Sequence, residues 1–212
     1  MARTLVHLLR HGEVHNPDSI LYGRLAGYNL SDLGNEMARM AADDLVARGA
    51  NITHVVSSPL ERAQQTAAPI AEAYGLPIVT DERILEAESK LEGQPISARP
   101  GLLLRPRNLR RLLNPFLPSW GEPYEEQVAR MIEAIKSARA AAEGKEAVLV
   151  SHQSPIWTTR LFLEGRSYLH DPRTRQCTLA SLTTLIFDHT TLVGLGYREP
   201  AGELLPRATA IT

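Results

Sequence analysis

The chain has 212 residues, 43% hydrophobic and 22% charged, with a formal net charge of -1. That length suits one domain with a sizeable core, and near neutrality argues against nucleic acid or an anionic membrane as the main partner. Its one cysteine, Cys177, excludes an internal disulfide and reads as a buried structural thiol, while the lack of a signal-type apolar segment or of a run near 20 apolar residues points to a cytoplasmic protein.

Thr4 to Leu9 is an apolar run without alternation, as expected of a strand covered on both faces, with His7 inside it. From Ser31, a candidate N-cap, Leu33, Met37, Met40, Ala41 and Leu45 recur at helical spacing as far as Gly49. Ile52 to Val56 predicts a second strand. Ser58-Pro59-Leu60-Glu61 then has the form of a capping box opening a helix to about Tyr74. Leu76 to Thr80 is a short strand candidate. Between Lys90 and Pro123 the periodicity fails, prolines recur, and Arg99, Arg105, Arg107, Arg110 and Arg111 accumulate. This segment is either a solvated basic loop or a lid that helps to bind an anionic substrate. Tyr124 to Ala142 predicts a helix, Ala147 to Val150 a strand, and Ser154-Pro155 opens a helix toward Leu163. Leu179 to Phe187 and Leu192 to Tyr197 form a closing hairpin across Asp188-His189-Thr190-Thr191. The order predicts an α/β fold: a three-layer sandwich with a mainly parallel central sheet flanked by helices, plus a lid or insertion near 90–123. Residues 1–198 form one domain, and 199–212 a loosely ordered tail.

Ligands of parallel α/β sheets bind outside the carboxyl ends of the strands. Three predicted strand ends carry anion ligands: Arg10, His11 and Gly12; then Ser57, Ser58 and Arg62; then Ser151 and His152. Two lead into helix starts, where free N–H groups and the dipole favour an anion. A phosphoryl group fits this set, because guanidinium forks hold its oxygens in fixed directions. A histidine beside such cations is held neutral and can offer one ring nitrogen to phosphorus. Gly12 would allow close backbone approach, and its carbonyl could fix the other nitrogen. Singly, each residue has a plainer role: Arg62 a solvated arginine, Ser58 a cap, His152 a core histidine. Their shared placement favours a site. His7, His11 and His15 recur every four residues, but His7 lies in a strand and no nearby Cys or Asp completes a set, so no metal is expected.

The stretches "LLRHGEVHN", "GRLAGYNLSDLG", "VVSSPLERAQQTA", "LEAESKLEG" and "VLVSHQ" resemble, in order and spacing, the histidine phosphatase superfamily, which includes the cofactor-dependent phosphoglycerate mutases. The resemblance implies that His11 is the nucleophile forming a phosphohistidine, with Arg10, Arg62 and His152 completing the phosphate pocket. Asn16, at a shifted spacing, Gly23 and Gln153 fall among its substrate-binding positions. Glu86 falls where the family often places its proton donor, with Glu13, Glu82 and Glu88 as competitors. Such an acid protonates the departing alkoxide and then, as carboxylate, activates water. The sequence departs from the pattern at Gln153, where glycine is usual, at Gly121-Glu122-Pro123, where a serine cap is changed, and at Leu91-Glu92-Gly93, which lacks the usual aromatic.

The resemblance implies a metal-independent phosphomonoester hydrolase that needs no cofactor and acts on a small phosphorylated substrate. The alternatives are a phosphoglycerate mutase, whose longer signature is absent here, and a phosphate-binding module that has lost turnover. Tyr22, Arg24 and the basic segment are candidates for selectivity. A homodimer is a further expectation from the resemblance.

Overall fold

In the computed structural model, which describes residues 3–95, 121–171 and 174–209, the apolar runs pair into one six-stranded sheet. The strands are β1 (Thr4–Arg10), β2 (Ile52–Ser57), β3 (Ile78–Thr80), β4 (Glu146–Ser151), β5 (Leu182–Asp188) and β6 (Thr191–Arg198), in the order β3-β2-β4-β1-β5-β6. The first four run parallel, and the closing hairpin adds β5 and β6 antiparallel.

Among the described residues four α-helices cover the sheet: α1 (Asp32–Ala47), α2 (Glu61–Tyr74), α3 (Tyr124–Ala141) and α4 (Gln153–Leu163). Consecutive strand residues point to opposite faces, and here both faces are apolar. Val6, Leu8, Ala147 and Leu149 pack against Met131, Ile135, Ile156 and Trp157 of α3 and α4. Leu9, Val55, Val148 and Val150 pack against Ala41, Leu45, Ala67 and Ile70 of α1 and α2. This double burial explains why β1 and β4 lack alternation.

Three expectations need correction. Ser58 does not cap α2: the helix starts after Leu60, which makes no side-chain cap bond, and the Ser58 hydroxyl sits 2.8 Å from His152 Nε2. The third strand is shorter than expected, because Gly75, in the left-handed conformation at φ 63°, and the following turn consume Leu76 and Pro77. The tail is not loose over residues 199–209. Gly202–Arg207 forms a 3-10 helix whose Leu204, with Ala201, packs against Met37 and Ala180, and Thr209 N–H donates to Glu13 Oε1 at 2.6 Å. Of the expected lid at 90–123, residues 96–120 lie outside the described residues, and its five arginines with them.

The loop after β1 is clamped onto the start of α1 through two glycines. A Cβ on Gly12 would lie 2.5 Å from the Gly34 carbonyl oxygen, and one on Gly34 would lie 2.0 Å from the Glu13 carbonyl oxygen. Both neighbours are backbone, so neither can swing aside. Gly34→Ala is therefore expected to destabilise the fold by about 1–3 kcal/mol through overpacking, read as a lower urea midpoint; an unchanged midpoint would show that the two segments are free to separate.

Candidate active site

The sheet order places the ends of β2, β4 and β1 side by side, and the ladder delivers one functional residue from each. Arg10 pairs with Ser151 in register, His11 N–H donates to the Ser151 carbonyl at 3.1 Å, and Ser58 N–H to the Val150 carbonyl at 2.9 Å. His11 and His152 consequently meet, with ring centroids 5.2 Å apart and planes at 61°. Both are buried, as are Arg10 and Arg62.

His11 Nδ1 lies 2.8 Å from the Gly12 carbonyl oxygen. A carbonyl only accepts, so Nδ1 carries the hydrogen and Nε2 of the neutral ring keeps its lone pair. Burial, followed by the charges of Arg62 and Arg10, holds the His11 pKa well below the usual histidine value. His152 is lowered for the same leading reason, with Arg62 next. Both rings are therefore neutral at neutral pH. Gly12 is itself tied down, because its N–H donates to Thr66 Oγ1 at 3.1 Å while that hydroxyl donates to the Arg62 carbonyl at 2.7 Å. One threonine thus links the loop that carries His11 to the first turns of α2.

Arg62, fully buried, uses Nη2 on the Gly23 carbonyl at 2.6 Å and lies 4.8 Å over the Tyr22 ring. Tyr22 stacks on Tyr28 and presents an edge to His11. Arg62 Nε and Nη1 have no hydrogen-bond partner. Arg10 donates through Nη1 to the Cys177 carbonyl at 2.7 Å, leaving Nε without one, and His152 Nδ1 is also unpartnered. Buried polar groups are normally satisfied. Four orphaned nitrogens around one imidazole define a place for an oxyanion.

Glu86 faces this set. Burial holds its carboxyl above the ordinary carboxylate range, although the Ala87 N–H and the charges of Arg62, Arg10 and Arg175 act the other way. Its carbonyl accepts from Arg24 Nε at 2.7 Å and Arg130 Nη2 at 3.4 Å, and Glu122 pairs with both arginines at 2.9 Å. Glu122 therefore positions Glu86 through two cations. Arg24, a candidate for selectivity, is committed to that task. The competing carboxylates stand elsewhere: Glu13 holds Ser31 and Thr209, while Glu82 and Glu88 are exposed.

The remaining residues separate by what they touch. Asn16 spends its amide inside its own loop, donating to the Ile20 carbonyl and accepting from the Ile20 N–H. Gly23 reaches the pocket through the carbonyl on Arg62, and Gln153 donates at 3.4 Å to the Cys177 carbonyl that also holds Arg10. Pro123 begins α3 without a side-chain cap bond, in keeping with the changed segment before it. Cys177 is buried, and burial pushes its thiol up to about 11. His7 is occupied by Thr184 and Glu146, and among the described residues no group of three or more His, Cys, Asp or Glu could hold a metal ion. No described helix is long and apolar enough to cross a membrane. Thr66, Arg130 and Arg175 escaped the sequence reading: Thr66 lies inside the VVSSPLERAQQTA stretch but bonds Gly12 54 residues away, and Arg130 and Arg175 sit in no local motif.

Comparison with known proteins agrees with this geometry. A family model for the histidine phosphatase superfamily, branch 1, matches residues 6–198. An uncharacterised protein of Mycobacterium tuberculosis is 50% identical over 198 residues, covering 93% of this chain and 97% of that one. A probable phosphoglycerate mutase of Yersinia enterocolitica is 35% identical over 156 residues, covering 69% of this chain and 68% of that protein. The structure of a mycobacterial glucosyl-3-phosphoglycerate phosphatase superposes with a TM-score of 0.68 at 25% identity, covering 92% of this chain and 96% of that one.

The orphaned nitrogens carry a prediction about binding. Inorganic phosphate should raise the thermal midpoint, by an amount equivalent to about 2.7 kcal/mol at a hundredfold excess over Kd, and Arg62→Met should remove most of the rise. Equal stabilisation of both proteins would place the anion elsewhere.

Proposed function

The chain belongs to the histidine phosphatase superfamily, and from that premise we propose that it is a phosphomonoester hydrolase acting through phosphohistidine on a small phosphorylated metabolite. The observation that carries this reading is the Nδ1 contact of His11 with the Gly12 carbonyl, which leaves Nε2 as the nucleophilic nitrogen beside two guanidiniums with unpartnered N–H groups.

Arg10 and Arg62 bind the phosphoryl oxygens and offset their charge, which lets the neutral ring approach. His11 Nε2 attacks phosphorus as the ester P–O bond breaks, while the Glu86 carboxylic acid gives its proton to the departing oxygen. The phosphoenzyme imidazolium is stabilised by the Gly12 carbonyl. Glu86, now a carboxylate, takes a proton from the water whose oxygen attacks phosphorus. The P–N bond breaks, inorganic phosphate leaves, and His11 and the acid are restored. His152 Nδ1, buried and unpartnered, takes a phosphoryl oxygen in this reading. None of these steps assigns work to a metal.

The Yersinia relative named as a probable phosphoglycerate mutase favours a second reading, transfer of the phosphoryl group back to a phosphoglycerate instead of to water. Phosphate release separates the two.

The test is release of inorganic phosphate from a panel of phosphomonoesters without added metal, by the wild type, His11→Ala and Glu86→Gln. His11→Ala should abolish release. Glu86→Gln should slow alkyl phosphates at least 100-fold and p-nitrophenyl phosphate far less, since that leaving group needs little protonation. Because the acid works in its protonated form, wild-type kcat/KM for alkyl esters should fall as pH rises through the raised Glu86 pKa, and Glu86→Gln should lack that limb. Interconversion of phosphoglycerates without phosphate release would install the mutase reading; phosphate binding with neither activity would leave a binding module.

A further inference from the structure

Arg10 and Arg62 suffice for a phosphoryl dianion, yet a third guanidinium, that of Arg175, lies near enough to Glu86 and Arg10 to act on both by its charge. Arg175 lies between α4 and β5, half-buried, and is held by side chains at two of its three nitrogens. Nη1 donates to Gln153 Oε1 at 3.1 Å, and Nε donates to His170 Nε2 at 2.9 Å. His170 Nδ1 in turn donates to the Tyr168 carbonyl at 2.6 Å, and Trp157 meets the His170 ring edge at 5.8 Å between centroids. On the other side, Gln153 Nε2 reaches the Cys177 carbonyl, the same oxygen that receives Arg10 Nη1. A continuous polar chain thus fixes Arg175 relative to Arg10 and to His152, the neighbour of Gln153 along the chain.

Such restraint is unneeded for a solvated arginine. Among the described residues Arg175 forms no ion pair, unlike Arg24, Arg130 and Arg160, which each have a glutamate. Charge counting within the pocket gives the consequence. The phosphoryl dianion offsets Arg10 and Arg62, and Glu86 enters the first step protonated, so the charge of Arg175 is left over. A preorganised fork with one positive charge to spare suits a planar carboxylate, which it can receive through paired N–H groups.

We propose that Arg175, held by Gln153 and His170, is a specificity residue that binds a carboxylate on the substrate, so that the preferred substrates are phosphomonoesters of hydroxy acids. This rests on the hydrolase reading above. It also gives Gln153 a purpose: its amide joins the third cation to the frame that carries Arg10.

The test compares kcat/KM for 3-phosphoglycerate, glycerol 3-phosphate and p-nitrophenyl phosphate in the wild type, Arg175→Met, Arg175→Lys and Gln153→Ala, each checked for folding by circular dichroism. The wild type should favour 3-phosphoglycerate over glycerol 3-phosphate at least tenfold. Arg175→Met should erase that preference mainly through KM, lowering the ratio of 3-phosphoglycerate to p-nitrophenyl phosphate turnover at least tenfold, and Arg175→Lys should restore part of it. Gln153→Ala should fall between. A wild type without the preference, or a ratio that Arg175→Met leaves unmoved while p-nitrophenyl phosphate is still hydrolysed, would overturn the carboxylate assignment alone. No hydrolysis of any of the three by the wild type would overturn the hydrolase reading and this assignment together.

Discussion

Burying the Arg62 guanidinium, fully enclosed with Nε and Nη1 unsatisfied, is the constraint around which the rest of the site is arranged. Removing such an ion from water costs several kcal/mol, and the protein returns only part of that through the Gly23 carbonyl and the face of Tyr22. No carboxylate among the described residues forms an ion pair with Arg62 or Arg10. A paired arginine would be more comfortable and would bind nothing. Left short of partners, the two cations favour whatever anion enters and, together with the larger effect of burial, keep the histidine between them neutral. The fold tolerates the arrangement because β1, β4 and the first turns of α2 are locked from outside the site. Thr66 ties Gly12 to Arg62, and the Gly12–Gly34 approach fixes the loop against α1.

The acid is controlled by a different device. In the proposed cycle Glu86 is protonated for one half of the chemistry and ionised for the other, so its carboxyl would need a value near the working pH, neither fully solvated nor salt-bridged. Its side chain is accordingly left to burial, one backbone N–H from Ala87 and unpaired cations, while its position is set through the backbone. Arg24 and Arg130 grip the carbonyl, and Glu122 bridges the two guanidiniums. Charge that would spoil the acid if applied to its carboxyl is applied to its main chain instead. Position and acidity become separable, which is what a group with two protonation states in one cycle requires.

How much of this was legible in the sequence follows from the range of each interaction. Unbroken apolar runs identify β1 and β4 because both faces are covered, and the strand-end residues His11 and His152 follow from the rule for parallel sheets. Local signals misled where a side chain had a distant partner. Ser58 has the form of a cap, but its hydroxyl is on His152, so α2 starts later. The residues after Glu199 show no periodicity, yet Leu204 is buried against α1, since a short 3-10 segment needs only one anchor. Arg24 looks like a substrate contact until Glu122 is placed beside it. The roles of Thr66, inside the VVSSPLERAQQTA stretch, and of Arg175, in no motif, do not show locally, because what defines them is a hydrogen bond across 54 residues in one case and across 22 in the other.

The central claim is that His11 Nε2 becomes covalently phosphorylated. It is tested most directly by mixing the protein with a phosphomonoester, quenching within milliseconds in alkali, and locating the phosphoryl group by peptide mapping and phosphorus NMR. The account predicts a base-stable, acid-labile phosphoramidate on the His11 imidazole, formed as fast as turnover and absent from His11→Asn. Turnover with no trapped phosphoenzyme, or a phosphoryl group on His152 or on any other side chain, would contradict it.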